Sequence, residues 1–375
     1  MNLESLNSAP ICPLRTLRAS IGARLACALF CVSAAMAVQA QSTSAVLPVT
    51  GPLSVKTMSQ LLLTDGARIG NRVVAVGDRG YVVWSDNNGE RWERAQAPAN
   101  LPLLNAVFFT DAKNGWAVGH DAVILHSVDE GKTWTQAFAA PAEQKPLMDI
   151  LFIDAQRGFA VGAYGAFYET IDGGKSWNPR KVQEEDKHLN SIIKLGENRL
   201  LIVGEAGSVL NSDDGGKTWN KIEAPYKGSF FGAVQAADGA VLIYGLRGRI
   251  FRSRNAELKD WAQIENQSTA SIMGSTRLPD GALVLAGLAG TVLVSRDNGQ
   301  SFVPLAGKST KAIAAPLLGA PNALLLLGEA GARAVALPSA IAAVPAVSNA
   351  APTAPLAPRA PAAPATKSNS PPATK

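Results

Sequence analysis

One short pattern recurs through this chain at almost fixed intervals, and few folds can accommodate it. A run of β-forming residues ends in Gly-x-x-Gly, or a near match, at VGDRG (from Val76), VGHDA (Val118), VGAYG (Val161), VGEAG (Val203), YGLRG (Tyr244), AGLAG (Ala286) and LGEAG (Leu327). The first glycines are Gly77, Gly119, Gly162, Gly204, Gly245, Gly287 and Gly328, separated by 42, 43, 42, 41, 42 and 41 residues. A repeat with so little drift marks an array of one structural unit. Within the second unit, LNAVFFTD, GWAVGH, AVILHSVD and TWTQAF are each strand-length and end in turn residues. None of the repeats offers helical periodicity over ten residues. Four antiparallel strands in about forty residues make a propeller blade. The expected architecture is all-β: a seven-bladed β-propeller of four-stranded antiparallel blades over residues 41–337.

Eight residues beyond each first glycine stand Ser85, Ser127, Thr170, Ser212, Ser253, Ser295 and, last, Ala336. Each hydroxyl opens a Ser/Thr-x-Asp-x-Gly-x-Thr/Ser-Trp string, the Asp-box or BNR repeat, or its remnant. SVDEGKTW (Ser127, Asp129, Gly131, Trp134), TIDGGKSW (Thr170, Asp172, Gly174, Trp177) and SDDGGKTW (Ser212, Asp214, Gly216, Trp219) are complete. SDNNGERW and SRDNGQSF are decayed, and SRNAELKDW more so. Hydroxyl, carboxylate and indole together invite a catalytic reading. Multiplicity speaks for a structural one, because an active site is needed once. Hydroxyl and carboxylate accept hydrogen bonds from loop amides, glycine supplies positive φ and tryptophan packs between sheets.

The ends are separable. Arg15, Arg18 and Arg24 precede the apolar run LACALFCVSAAMAV, which ends in VQA before Gln41. That pattern predicts a secretory signal peptide over residues 1–40, cleaved after Ala40, and an exported, periplasmic or thylakoid-lumen-like protein with no transmembrane span afterwards. Cys12, Cys27 and Cys31 all lie in the leader, so the mature chain is expected to carry no thiol or disulfide chemistry. Removing three arginines and Glu4 lowers the formal charge by two, from +5 to +3, too little to suggest a nucleic-acid partner. Residues 338–375 are Ala/Pro-rich without alternation, the composition of a disordered tail. The seventh repeat has three strands before that tail begins. Val46–Val55 is therefore expected to supply the outermost strand of the last blade and to close the ring.

Strand order places the Gly-x-x-Gly turns and the links between blades on one face, and the Asp-boxes on the other. The first face carries the candidate partner-binding residues. Arg79, His120, Asp121, Tyr164, Glu205 and Arg247 stand at turn tips. Asn105, Asp149 and Asn190 open inner strands and are expected around the channel mouth. Glu185 and Lys187 lie in the charged link RKVQEEDKH. Arg247, Arg249, Arg252 and Arg254 suggest a basic stripe on the fifth blade. No candidate acid–base pair stands out, the three histidines lack metal-ligand spacing, and no cofactor or metal is implied. The Arg-Ile-Pro element and arginine triad of a sialidase are missing, the nearest string being Arg68-Ile69-Gly70.

Taken together, GWAVGHDAVILHSVDEGKTW and GFAVGAYGAFYETIDGGKSW resemble blades of the photosystem II stability/assembly factor family of BNR-repeat propellers. The resemblance covers about Val46 to Pro338. It implies a non-catalytic exported scaffold that binds a protein partner and aids assembly or stability of a membrane complex, a photosystem or another envelope complex. The alternative is a sialidase-like or other carbohydrate-active propeller acting on glycans.

Overall fold

A computed structural model describes residues 50–254, 257–305, 307 and 309–338. The expected leader, residues 46–49 of the expected closing strand, and the tail from residue 339 lie outside the described residues.

Seven antiparallel sheets follow one another along the chain. The first blade runs Leu63–Ile69, Arg72–Gly77, Val82–Ser85 and Trp92–Arg94 from channel to rim. The second runs Leu104–Phe109, Gly115–Gly119, Ile124–Ser127 and Thr135–Phe138, and the pattern continues to the sixth blade, which ends at Val303–Pro304. The seven-bladed antiparallel propeller read from the repeats is the fold observed, with four strands in each of blades two to six. Its interior is not one core. Seven apolar clusters lie between successive sheets: Val74 and Leu125 belong to the cluster of blades one and two, and Phe159, Leu200 and Ile202 to that of blades three and four. In blades one to six the second strand is buried along its whole length, which is why these runs are continuously apolar rather than alternating.

The first glycine of each turn is required by close approach, not by its backbone angle. A Cβ on Gly119 would collide with the Leu103 carbonyl, and one on Gly204 with the His188 carbonyl. At both sites the chain enters the innermost strand directly over the end of the second strand. His120 N–H and Glu205 N–H donate to those same carbonyls at 2.9 and 2.8 Å.

Closure differs from the expectation. Gly51–Leu53 is a strand, but it pairs antiparallel with Trp92–Arg94 and forms a fifth strand on the rim of the first blade. The last blade has three strands among the described residues: Ile313–Leu318, Ala323–Gly328 and Gly331–Ala336. The ring is joined there by packing. Met58, Leu61 and Leu63 share a cluster with Ala315, Leu325 and Leu327, and Gly331 N–H donates to the Leu61 carbonyl at 2.9 Å. Alternation identifies a strand but not the edge it joins, and here two edges compete.

Candidate functional site at the channel mouth

The Asp-boxes are hydrogen-bonded turns between third and fourth strands. In the second blade, Gly131 N–H donates to Ser127 Oγ at 3.0 Å, and Ser127 Oγ donates to Asp129 Oδ1 at 3.0 Å. Thr133 caps the other oxygen of Asp129 at 2.7 Å, and the Trp134 indole N–H donates to the Gly131 carbonyl at 2.9 Å. The third and fourth blades repeat the hydroxyl–carboxylate–amide bonds through Thr170 and Asp172, and through Ser212 and Asp214, whereas the Trp177 and Trp219 indole N–H groups are buried without a partner among the described residues. The Ser176 hydroxyl and amide hold Asp172 down at about 2. Each box glycine also faces the preceding blade: a Cβ on Gly131 would meet Val74, on Gly174 Trp116, and on Gly216 Phe159. The box is thus a wedge between sheets, and its carboxylate is held by donors from within its own turn.

On the opposite face, the innermost strand of every blade carries an irregularity at its start, between Leu63/Asp65, Leu104/Ala106, Leu147/Asp149, Leu189/Ser191, Phe230/Gly232, Ile272/Gly274 and Ile313/Ala315. Such bulges re-aim side chains. Here they turn them around the channel. Thr64 donates to the Leu104 carbonyl at 2.6 Å, Asn105 to the Leu147 carbonyl at 2.7 Å and Asn190 to the Phe230 carbonyl at 2.7 Å, each bond linking one blade to the next.

These strands enclose a cavity of about 250 Å³ lined from all seven blades. Asp65 and Asp149 stand on its wall. Asp65 accepts from Val107 N–H at 2.9 Å, and Asp149 accepts from Ser191 Oγ and Ile192 N–H at 2.9 Å and from Ile150 N–H at 2.8 Å. Both are partly exposed to the channel mouth, yet crowded on their other sides by the inner strands. Burial pushes Asp65 up to about 7 and Asp149 up to about 6. Two carboxyl groups with raised pKa values thus stand on one cavity wall. Sequence reasoning passes over Asp65. It lies in a register column with Ala106, Asp149, Ser191, Gly232, Gly274 and Ala315, where two aspartates among small residues are the available signal.

Of the other candidates, Asn105, Asp149 and Asn190 line this cavity. Arg79, Asp121, Tyr164 and Arg247 sit at turn tips with φ of 52, 57, 54 and 58°. His120 is exposed beside Asp121. Tyr164 meets His188 edge-on with ring centroids 4.9 Å apart, and His188 Nε2 lies 3.9 Å from Glu205, so the histidine stands between the two. Glu185 bonds Lys221 at 2.8 Å and lies 3.6 Å from Lys187. The basic stripe does not form: Arg252 is held by Asp238 and the Asn298 carbonyl, and Arg254 pairs with Asp260, while Arg247 and Arg249 border a separate hollow with Glu265. His126 stacks on Trp116 at 3.9 Å, and burial lowers its basicity. Among the described residues no group of three or more potential metal ligands occurs, and no helix is long and apolar enough to cross a membrane.

Fold and turns define a seven-bladed β-propeller with a polar channel mouth. The family model described as photosynthesis system II assembly factor YCF48 matches residues 137–285, which is the family the repeats resemble. A solved structure described as YCF48 bound to D1 peptide is 22% identical, with 77% of this chain and 96% of that chain covered and a TM-score of 0.61. YCF48 from Cyanidioschyzon merolae is 17% identical, with 77% and 99% covered and a TM-score of 0.61. The GH74 xyloglucanase from Xanthomonas campestris is 15% identical, with 76% of this chain and 53% of that chain covered and a TM-score of 0.61. These structural likenesses establish a shared fold. No curated protein matches the sequence.

Proposed function

We propose that this chain is a non-catalytic, exported scaffold that binds a protein partner on its Gly-x-x-Gly face and aids assembly or stability of a membrane complex. One observation carries the reading. The turns of blades one to six share a left-handed position where glycine would be favoured by about 1 kcal/mol or more; Arg79, Asp121, Tyr164 and Arg247 take it in four of them, and Ala206 and Ala289 in the other two. Strain of this kind concentrates at functional surfaces. In four of the six it holds large polar side chains outward: the Arg79 side chain is 83% exposed. The family match over residues 137–285 supports the same reading. Crosslinking and pull-down from membranes of the native host test it. The wild-type chain should recover a subunit of a membrane complex, and the triple variant Arg79→Ala, Tyr164→Ala, Arg247→Ala should lose most of it. Recovery of no membrane protein by the wild type would overturn the scaffold.

A carbohydrate-active reading has one observation in its favour, the pair Asp65 and Asp149, because glycosidases use two carboxylates. Both are committed to backbone amides of neighbouring blades, which gives them a structural role without a substrate. Glycan turnover lost in Asp149→Asn would favour the enzyme.

A further inference from the structure

The channel cavity places two carboxylates where no basic side chain answers them. Its wall holds no Lys, Arg or His. Uncompensated carboxylates in an enclosed site are unfavourable, and a cation relieves that penalty. The bonds already made to Asp65 and Asp149 do not exhaust them, since a carboxylate offers about four lone-pair sites.

The wall also mixes polar and apolar groups. Blades one to four bring the carboxylates together with the Asn105 and Asn190 amides, the hydroxyls of Thr64 and Ser191, and the apolar side chains of Ala106, Met148 and Ile193. Blades five to seven bring Phe231, three alanines and two glycines, and their two hydroxyls, Tyr244 and Ser275, are bonded to each other at 2.8 Å. Carboxylates set among apolar side chains suit a ligand with a charged head and an aliphatic stem. The volume, about 250 Å³, falls below the roughly 300–1,000 Å³ of pockets that enclose drug-sized ligands, so one side chain or a small amine is the right scale. A metal ion is a poorer match, with two carboxylates and no third His, Cys, Asp or Glu grouped with them among the described residues.

We infer that the channel mouth is a binding site for an alkylammonium group, its head facing Asp65 and Asp149 and its stem lying along Phe231 and the alanines. The group belongs to a lysine side chain of a polypeptide or to a free polyamine. This goes beyond the scaffold reading and is tested without any partner, so its failure leaves the pull-down result standing.

Calorimetric titration of the full chain at pH 8 with n-pentylammonium, 1-pentanol and Ca²⁺ decides it. Pentylammonium should bind, with pentanol and Ca²⁺ at least tenfold weaker, and Asp65→Asn with Asp149→Asn should weaken the amine at least tenfold. The amides keep an acceptor for the backbone N–H groups, and melting curves check that the variant folds. Pentanol binding as tightly as the amine, an undiminished variant, or Ca²⁺ binding without amine binding would each overturn the site. The wild-type comparison of amine with alcohol stands even if the variant does not fold. A lysine-containing acetylated peptide against 1,5-diaminopentane then separates the two sources, and tighter binding of either supports the site.

Discussion

Aspartates on the two faces of the disc meet opposite fates. In the Asp-box, Asp172 receives the Ser176 hydroxyl and amide and is held at about 2. At the channel mouth, Asp65 is enclosed by seven strands and rises to about 7, although Val107 N–H also reaches it. Donors lower a carboxylate and enclosure raises it, and the sign depends on which dominates. One face therefore favours the charged form of its aspartates, whereas the other penalises it.

Three measurements would break or sharpen that contrast. The largest effect should come from the box wedge. Gly174 has φ +79° and faces the Trp116 ring, so Gly174→Ala should cost roughly 2–5 kcal/mol by adding strain to overpacking. Gly239→Ala, at φ +86° with nothing within 4 Å, isolates the strain at roughly 1–2 kcal/mol. Equal losses by denaturant titration would show that the wedge contributes nothing. Next, Ser127→Ala leaves the buried Gly131 N–H without its acceptor and should cost roughly 1–3 kcal/mol. An unchanged midpoint would refute the structural role of the box.

The smallest effect is on pH dependence. The folded values of Asp65 and Asp149 lie above those of an unfolded chain, so their favourable contribution is complete below about pH 4 and is lost as pH rises through about 6 and 7. Asp172 acts the other way: its contribution is present above about pH 4 and is lost as pH falls towards about 2. Melting temperature should therefore rise by a few degrees between pH 8 and pH 5, and Asp65→Asn should flatten that rise. A flat wild-type curve would show that the channel carboxylates are solvated.

The fold was legible because a propeller writes its period into the chain: the spacing of Gly77 to Gly328 and the boxes at Ser127, Thr170 and Ser212 each mark one turn of one blade. Asn105, Asp149 and Asn190 could be placed at the mouth because they open inner strands, although the two asparagines are the bulge residues and Asp149 stands one position further on. What spacing does not encode is which edge accepts Gly51–Leu53, since strands of both blades present free edges to it. Nor does it encode enclosure. Asp65 is an ordinary aspartate in sequence, and its raised value arises only when seven inner strands converge.

The wedge glycines have a consequence for transplanting repeats. Gly131 fits against Val74, Gly174 against Trp116 and Gly216 against Phe159, so each unit is cut to the shape of the one before it. A blade grafted alone into a new position would carry its notch without the matching surface. Units should exchange as neighbouring pairs, and the order of the blades is itself part of the specification.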